Sequence, residues 1–279
     1  MRYLALVYLV LLIFLSCKNS ESNIITDLQK DNLKGDIQMS LITEYEIEET
    51  KDSLESRDIK KVARNYYNKN GFLIKEESFD PITKTIFSKD IIYDTKGNLS
   101  EIISLFNNVP EFKQKFLFNN DGLCIEENTI SLKSNNTEKT LIKYDSKKNA
   151  IEKLFYNEYG ELFNKQIIKE ERDLLKTERN NYDKDGKIST TQIISRNSIG
   201  KIIEDVLYSS DGSIIYRYTY KYDNQGNIIE HTLFDNISKI KRVDTYKNQY
   251  DKHGNIISSL KFINSRPVSI KRMEYNFFN

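Results

Sequence analysis

The stretch "YDNQGNIIE", Tyr222 to Glu230, is nearly repeated as "YDKHGNIIS" at Tyr250, "YDTKGNLSE" at Tyr93 and "YDKDGKIST" at Tyr182. Each copy has the chemistry of a chain reversal. Asp223 can accept hydrogen bonds from backbone amides two residues on, as in an Asx turn. Asn224, Gln225 and Gly226 suit a three-residue hairpin loop, a type I turn closed by a left-handed residue that forms a bulge. Glycine takes that left-handed conformation without steric cost.

The repeat runs along the chain. Gly71, Gly97, Gly122, Gly160, Gly186, Gly212, Gly226 and Gly254 each lie four residues after an aromatic residue, and Gly200 follows Arg196 at the same distance. These glycines are read as structural turn positions. Tyr67, Tyr93, Phe118 and Tyr144 are 26, 25 and 26 residues apart; Tyr156, Tyr182, Tyr208 and Phe234 are each 26 apart, about half a period out of step with the first series. The unit is two turns and two strands. Between turns, "IIYRYTYKYD" sets Tyr216, Tyr218, Tyr220 and Tyr222 on one face and Arg217, Thr219 and Lys221 on the other, a period of two. β-Branched pairs such as Ile228-Ile229 and Ile256-Ile257 follow the turns and favour a pleated sheet.

The expected fold is all-β: an antiparallel meander of repeated hairpins with about 18 strands. An open sheet rarely exceeds about ten strands without curling or splitting. The prediction is therefore a curled or elongated, solenoid-like sheet with the Tyr/Ile face inside. Each repeat would contact mainly its neighbours, and "IKRMEYNFFN" would be the edge strand that ends the array.

The first sixteen residues read separately. "MR" is a short basic region, and Tyr3 to Leu15 is a thirteen-residue apolar run, short for a membrane span but suited to a signal peptide. It ends at Ser16-Cys17. A small residue before this cysteine resembles the lipobox of bacterial lipoproteins, which implies cleavage before Cys17 and lipidation there. Phe14 and Leu15 depart from the commonest lipobox residues. The expected organisation is a signal peptide over 1–16, a lipidated Cys17 with a polar tether over 17–32, and the repeat domain over 33–279. Lys18 in place of an aspartate points to the outer membrane, on either its periplasmic or its surface face.

The run Y-D-x-x-G-N-[IL], at Tyr222-Asp223-Gly226-Asn227-Ile228, Tyr250-Asp251-Gly254-Asn255-Ile256 and Tyr93-Asp94-Gly97-Asn98-Leu99, resembles the YD repeat of the RHS family. With "LKGDIQMSLITEYEIEE" at its start, the chain from about 33 to 279 looks like the small YD-repeat bacterial lipoproteins of unknown function. The large RHS proteins build shells around a toxin. This chain has no toxin domain and is far too short for such a shell, so that role does not carry over.

Composition narrows the function. Of 279 residues, 38% are hydrophobic and 30% charged, as expected of a folded, water-exposed chain. Removing residues 1–16 takes Arg2 from the 42 basic residues and balances them against the 41 acidic ones, so no basic patch calls for nucleic acid. Cys124 stands where other repeats have Ile or Leu and reads as a small buried hydrophobe with no disulfide partner. The two histidines, His231 and His253, read as solvated polar residues. Lys239, Lys241 and Arg242 read as a solvated edge, as do Arg266, Lys271 and Arg272. Adjacent acids such as Glu126-Glu127 point to opposite faces of a strand and cannot converge on one bond. No residue set assembles into a catalytic constellation, and no cofactor or metal is implied.

A non-enzymatic, membrane-anchored scaffold that binds a protein or glycan is the leading expectation, with Tyr216, Tyr218 and Tyr220 as a possible ligand-stacking face. Cross-strand packing is the competing role for these tyrosines. A structural or protective envelope lipoprotein with no specific ligand is the alternative function.

Overall fold

The structure is a computed structural model that describes residues 26–49, 53–171 and 175–279. The expected signal peptide and Cys17 lie outside the described residues. The described chain opens on a one-turn helix, α1 (Asp27–Lys30), capped by Thr26, whose hydroxyl accepts from the Gln29 amide while the Gln29 side chain returns to the Thr26 amide. Eighteen strands follow among the described residues. The first nine are β1 (Ile37–Glu49), β2 (Leu54–Tyr67), β3 (Leu73–Asp80), β4 (Thr85–Tyr93), β5 (Leu99–Phe106), β6 (Val109–Phe118), β7 (Cys124–Ser131), β8 (Thr137–Tyr144) and β9 (Ala150–Tyr156). The others are β10 (Leu162–Glu171), β11 (Lys176–Tyr182), β12 (Ile188–Arg196), β13 (Ile202–Ser209), β14 (Ile214–Tyr222), β15 (Ile228–Asp235), β16 (Ile240–Tyr250), β17 (Ile256–Ile263) and β18 (Arg266–Phe277).

Every strand pairs antiparallel with the one before and after it, so the meander is as expected, but the sheet does not stay open. β18 pairs with β1 from Ile37 opposite Phe277 to Glu46 opposite Ser269, and the sheet closes into a barrel. The solenoid-like expectation is corrected here, and with it the reading of the last strand as an edge. Arg266, Lys271 and Arg272 sit in a strand paired on both sides. The physical reason is that closure removes the unpaired edges that a curled sheet would leave at both ends.

The two half-period series are the two rims. Turns after Tyr67, Tyr93, Phe118, Tyr144, Tyr222 and Tyr250 lie at the entry rim, where α1 and the start of β1 also lie. Those after Tyr156, Tyr182, Tyr208 and Phe234 lie at the far rim. In "YDNQG", Asp223 Oδ1 accepts from the amides of Gln225 and Asn227 at 2.9 Å each, and the Gly226 amide donates back to the Asp223 carbonyl at 3.0 Å. The register slips between Lys221 and Tyr222, which marks the expected bulge. Two far-rim hairpins close differently, through two-residue turns at Asn107-Asn108 and Asn264-Ser265, all four residues with positive φ.

Glycine matters most where a rim turn is also crowded. At Gly71, φ is +79° and an added Cβ would lie 3.1 Å from Thr26 Oγ1 and 3.3 Å from Leu28 Cδ1, whereas at Gly186, φ +77°, nothing lies within 4 Å. Gly186→Ala is expected to cost about 1–2 kcal/mol from the left-handed backbone alone. Gly71→Ala should cost distinctly more in a urea titration, because it also displaces α1. Equal losses would mean that α1 contributes nothing to the rim.

The repeated tyrosine has a second role that the sequence did not reveal. At Tyr93, Tyr144 and Tyr222, and at Tyr275 near the end of β18, the hydroxyl reaches back to the first strand residue after the preceding turn on the same rim, whereas Tyr67 and Tyr250 donate to Asp31 and Asp223. Tyr144 donates to the Cys124 carbonyl at 2.7 Å, Tyr222 to Ile202 at 2.6 Å and Tyr275 to Ile256 at 2.7 Å, while Tyr93 shares its single proton between the Leu73 carbonyl at 3.0 Å and Asp27 Oδ2 at 2.9 Å. The bonds of Tyr93, Tyr144 and Tyr222 each tie two successive turns. Tyr222→Phe is expected to lower stability by about 0.5–1.5 kcal/mol in the same titration. No loss would reduce the tyrosine to a packing ring.

Following the register around the ring assigns the two faces. One carries most of the buried strand residues, among them Ser40, Ile91, Ile102, Ile194, Asp244 and Ser269, and is the interior, while Ser88, Asn180 and Val206 are buried on the other. The other carries cross-strand ion pairs: Lys143 and Lys165 flank Glu152 at 2.5 and 3.0 Å, Lys221 meets Glu230 at 2.9 Å and Arg217 meets Glu204 at 3.5 Å. A ring of eighteen strands is too wide for its own side chains to fill, and most interior strand residues remain half-buried. The hydrophobic core is local. It sits under the entry segment, where Leu28, Ile37, Tyr67, Leu73, Ile91 and Ile102 pack together.

The fold starts upstream of the expected tether boundary at residue 33. Asp27 Oδ2 accepts from the Tyr93 hydroxyl and the Leu73 amide at 2.9 Å each, and Asp31 accepts from Tyr67 at 3.1 Å. Asn32 donates to Gln225 and Asn227, and the Lys34 amide donates to Asn255 Oδ1 at 2.7 Å. Residues 26–36 therefore form a strap along the entry rim from the β2–β5 side to the β14–β17 side.

Candidate functional site

The interior wall of β12 to β17 gathers the densest chemistry among the described residues. The period-two pattern of β14 does place Tyr216, Tyr218 and Tyr220 on one face, and that face is the interior. Tyr216 and Tyr218 meet edge-on with ring centres 5.1 Å apart, and Tyr218 and Tyr220 lie 6.4 Å apart at 23°. His231, directly opposite Tyr220 on β15, completes the set. Its ring lies 5.6 Å from Tyr220 at 11° and 5.3 Å from Tyr218 at 24°. Burial pushes the Tyr216 and Tyr220 hydroxyls up to about 12, with the Asp205 charge adding to it.

The reading of His231 as a solvated residue is corrected. It is a strand residue, half-buried beside Tyr218 and Tyr220, and burial lowers its affinity for a proton against the pull of Asp244 3.8 Å away. His253 does sit at a turn tip, where its ring meets Phe277 at 5.5 Å.

Two carboxylates frame the aromatic group. Asp205 lies opposite Tyr218, and Gln192 donates to both of its oxygens at 2.9 and 3.0 Å. Burial raises its pKa above the ordinary carboxylate value. Arg179, itself buried, reaches Gln192 at 3.3 Å. Asp244, opposite His231, is 1% exposed. Arg242 grips it with two hydrogen bonds of 2.7 and 2.9 Å, and Lys261 adds a third contact at 2.9 Å. Burial pushes Asp244 upward, but the bonds from Arg242 and Lys261 outweigh it and hold the group below its usual range. Arg242, expected on a solvated edge, is thus an interior residue that shares a buried carboxylate. Nothing in its local sequence distinguishes it from Lys241, whose side chain alternates to the other face; only the alternation in register with Asp244 could have found it.

Cys124 is buried, as its place in the repeat implied. Glu126 and Glu127 fall on opposite faces, since Glu127 opposes Phe116 and Glu126 opposes Leu117. Among the described residues no group of His, Cys, Asp and Glu could hold a metal ion.

No family model matches the chain, and no curated protein matches it. Solved structures similar to this chain include a porin-like protein from Bacteroides uniformis, 9% identical, with a TM-score of 0.43 over 86% of this chain and 96% of that one. A porin-like protein from Bacteroides vulgatus is 11% identical, with a TM-score of 0.40 over 87% and 99%. A putative outer membrane lipoprotein-sorting protein domain from Vibrio parahaemolyticus is 9% identical, with a TM-score of 0.23 over 89% of each chain.

Proposed function

We propose that the protein is a lipid-anchored, non-catalytic binding barrel of the cell envelope, whose ligand meets the interior wall at β13 to β17. The observation that carries this reading is the aromatic group of Tyr216, Tyr218, Tyr220 and His231, half-buried on a wall that the ring is too wide to cover. Packing alone would bring such rings together; the charged groups beside them favour a ligand. The carboxylates are tied up by Gln192, Arg242 and Lys261 rather than placed as a free acid and base, which favours holding over catalysis.

The outer face supports attachment to a membrane rather than insertion into one. Lysine or arginine on a lipid-facing strand costs about 2–4 kcal/mol at the bilayer midplane, and the Lys143–Glu152–Lys165 cluster is one of several on this face. Anchoring would come through Cys17, with the outer membrane as the favoured location.

The test joins location to binding. Intact cells are treated with protease beside a Cys17→Ser strain, and the purified protein is titrated with envelope glycans and envelope proteins by calorimetry, with Tyr218→Ala as control. The reading expects a membrane fraction that depends on Cys17 and a ligand lost on Tyr218→Ala. A Cys17→Ser protein that stays in the membrane overturns the anchor. Ligand binding unaffected by Tyr218→Ala overturns the interior site, and no ligand at all favours the structural alternative.

A further inference from the structure

We infer that the interior wall of β14 to β17 is a site for a carboxylate-bearing sugar, with the ring of a hexuronate unit against Tyr218 and Tyr220 and its carboxylate on Arg242. The inference rests on the interior-site reading and adds the ligand class.

Two features converge. The first is shape. Tyr218, Tyr220 and His231 lie in near-parallel planes, within 24° of one another, and none is fully buried. Flat amphipathic rings of this kind match the C–H faces of a pyranose, and the tyrosine hydroxyls supply polar tips. The second is charge. Arg242 and Lys261 both pair with the single carboxylate of Asp244, so the cluster carries one more cation than anion. His231 adds no charge while neutral.

The arginine is also the right one of the two to meet a ligand. Asp244 engages Nε and one terminal nitrogen of Arg242, which fixes the guanidinium plane. A guanidinium has five N–H donors, so others remain for a second acceptor. Its side chain is 41% exposed, against 25% for Lys261 and 2% for Asp244. Arg242 lies opposite Leu233, which lies opposite Tyr218, so the guanidinium and the rings belong to one patch of wall. A planar guanidinium with one edge held and another free is suited to bidentate carboxylate recognition. Asp205, on the other side of Tyr218, would repel a carboxylate placed there and can accept from sugar hydroxyls. The anionic group is thereby directed toward Arg242.

The test uses the whole purified protein, oligogalacturonate as the acidic probe and a neutral galactose oligomer of equal length. Calorimetry gives the affinity for each probe. The expected result is acidic binding about tenfold or more tighter than neutral, the scale of one charge-assisted contact. Arg242→Gln should collapse that ratio toward one, and Arg242→Lys should restore part of it. Tyr218→Leu should weaken both probes. Thermal unfolding of each variant establishes that it folds. If Arg242→Gln does not fold, the salt dependence of wild-type binding decides: acidic binding must weaken with salt while neutral binding does not. Equal affinity for both probes, lost on Tyr218→Leu, overturns the acidic preference and leaves the interior site standing. Binding of neither probe overturns the inference, while a protein ligand sensitive to Tyr218→Ala would still uphold the broader reading.

Discussion

Deleting β18 is expected to abolish cooperative folding rather than trim it. In a linear repeat array, loss of the last unit costs only its own contacts and one interface. Here β18 pairs with both β17 and β1, and its removal leaves those two strands with unpaired edges. Two ladders vanish together, at about 0.5–1.5 kcal/mol for each hydrogen bond. The total is on the order of 10 kcal/mol, comparable with the whole stability of a typical domain. The exposed edges also template association with other chains. Size-exclusion chromatography and a urea titration check it: the truncated chain should elute as oligomers and unfold without a sharp transition. A monomeric, sharply unfolding product would mean that the ring is not needed.

Asp244→Ala is expected to be the most costly single substitution on the interior wall. It leaves Arg242 and Lys261 with no anion in a site where Asp244 itself is 1% exposed. Breaking a pair between two buried charges costs about 3–5 kcal/mol, but Arg242 is 41% and Lys261 25% exposed, so solvent screening lowers the expected loss to about 1–3 kcal/mol. The pH dependence follows from the direction of the shift. The folded pKa of Asp244 is depressed, so its contribution is fully present above the unfolded-state value of about 3.9 and is lost as pH falls through the folded pKa. Wild type and Asp244→Ala should therefore differ by a constant amount near neutrality and converge in acid. Asp205 should behave in the opposite way. Its folded pKa is raised by burial, so its charge opposes folding at neutral pH, and that cost is relieved as pH falls through the raised value. Asp205→Asn is expected to stabilise the protein at neutral pH and to lose this advantage in acid. Chemical denaturation across the pH range checks both. Parallel profiles for the two variants would show that neither shift is real.

Much of the architecture was written locally. The Asp-x-x-Gly turn requires its own residues to hydrogen-bond and one of them to adopt a left-handed backbone, so every copy declares itself. Period two in "IIYRYTYKY" had to place Tyr216, Tyr218 and Tyr220 on a single face, because alternation is a property of the strand alone. The half-period offset between the two tyrosine series had to mean a unit of two turns and two strands, since successive hairpins turn at opposite ends. Strand number and antiparallel order followed from counting turns.

What stayed hidden depends on partners far away in the chain. Ile37 meets Phe277, and Lys34 meets Asn255, 221 residues on; no turn or pattern in either segment encodes the other. Whether eighteen strands curl, stack or close is decided by the accumulated twist and by the energy of two unpaired edges. The sharing of Asp244 by Arg242 and Lys261, and the packing of His231 against two tyrosines, are set by register across four strands, where a one-residue slip would send each side chain to the opposite face. Sequence alone determined the turns, the alternation and the two-strand unit, because these are short-range. Closure, the strap and the charged aromatic wall were decided only in the tertiary structure, because long-range pairing alone brings those residues together.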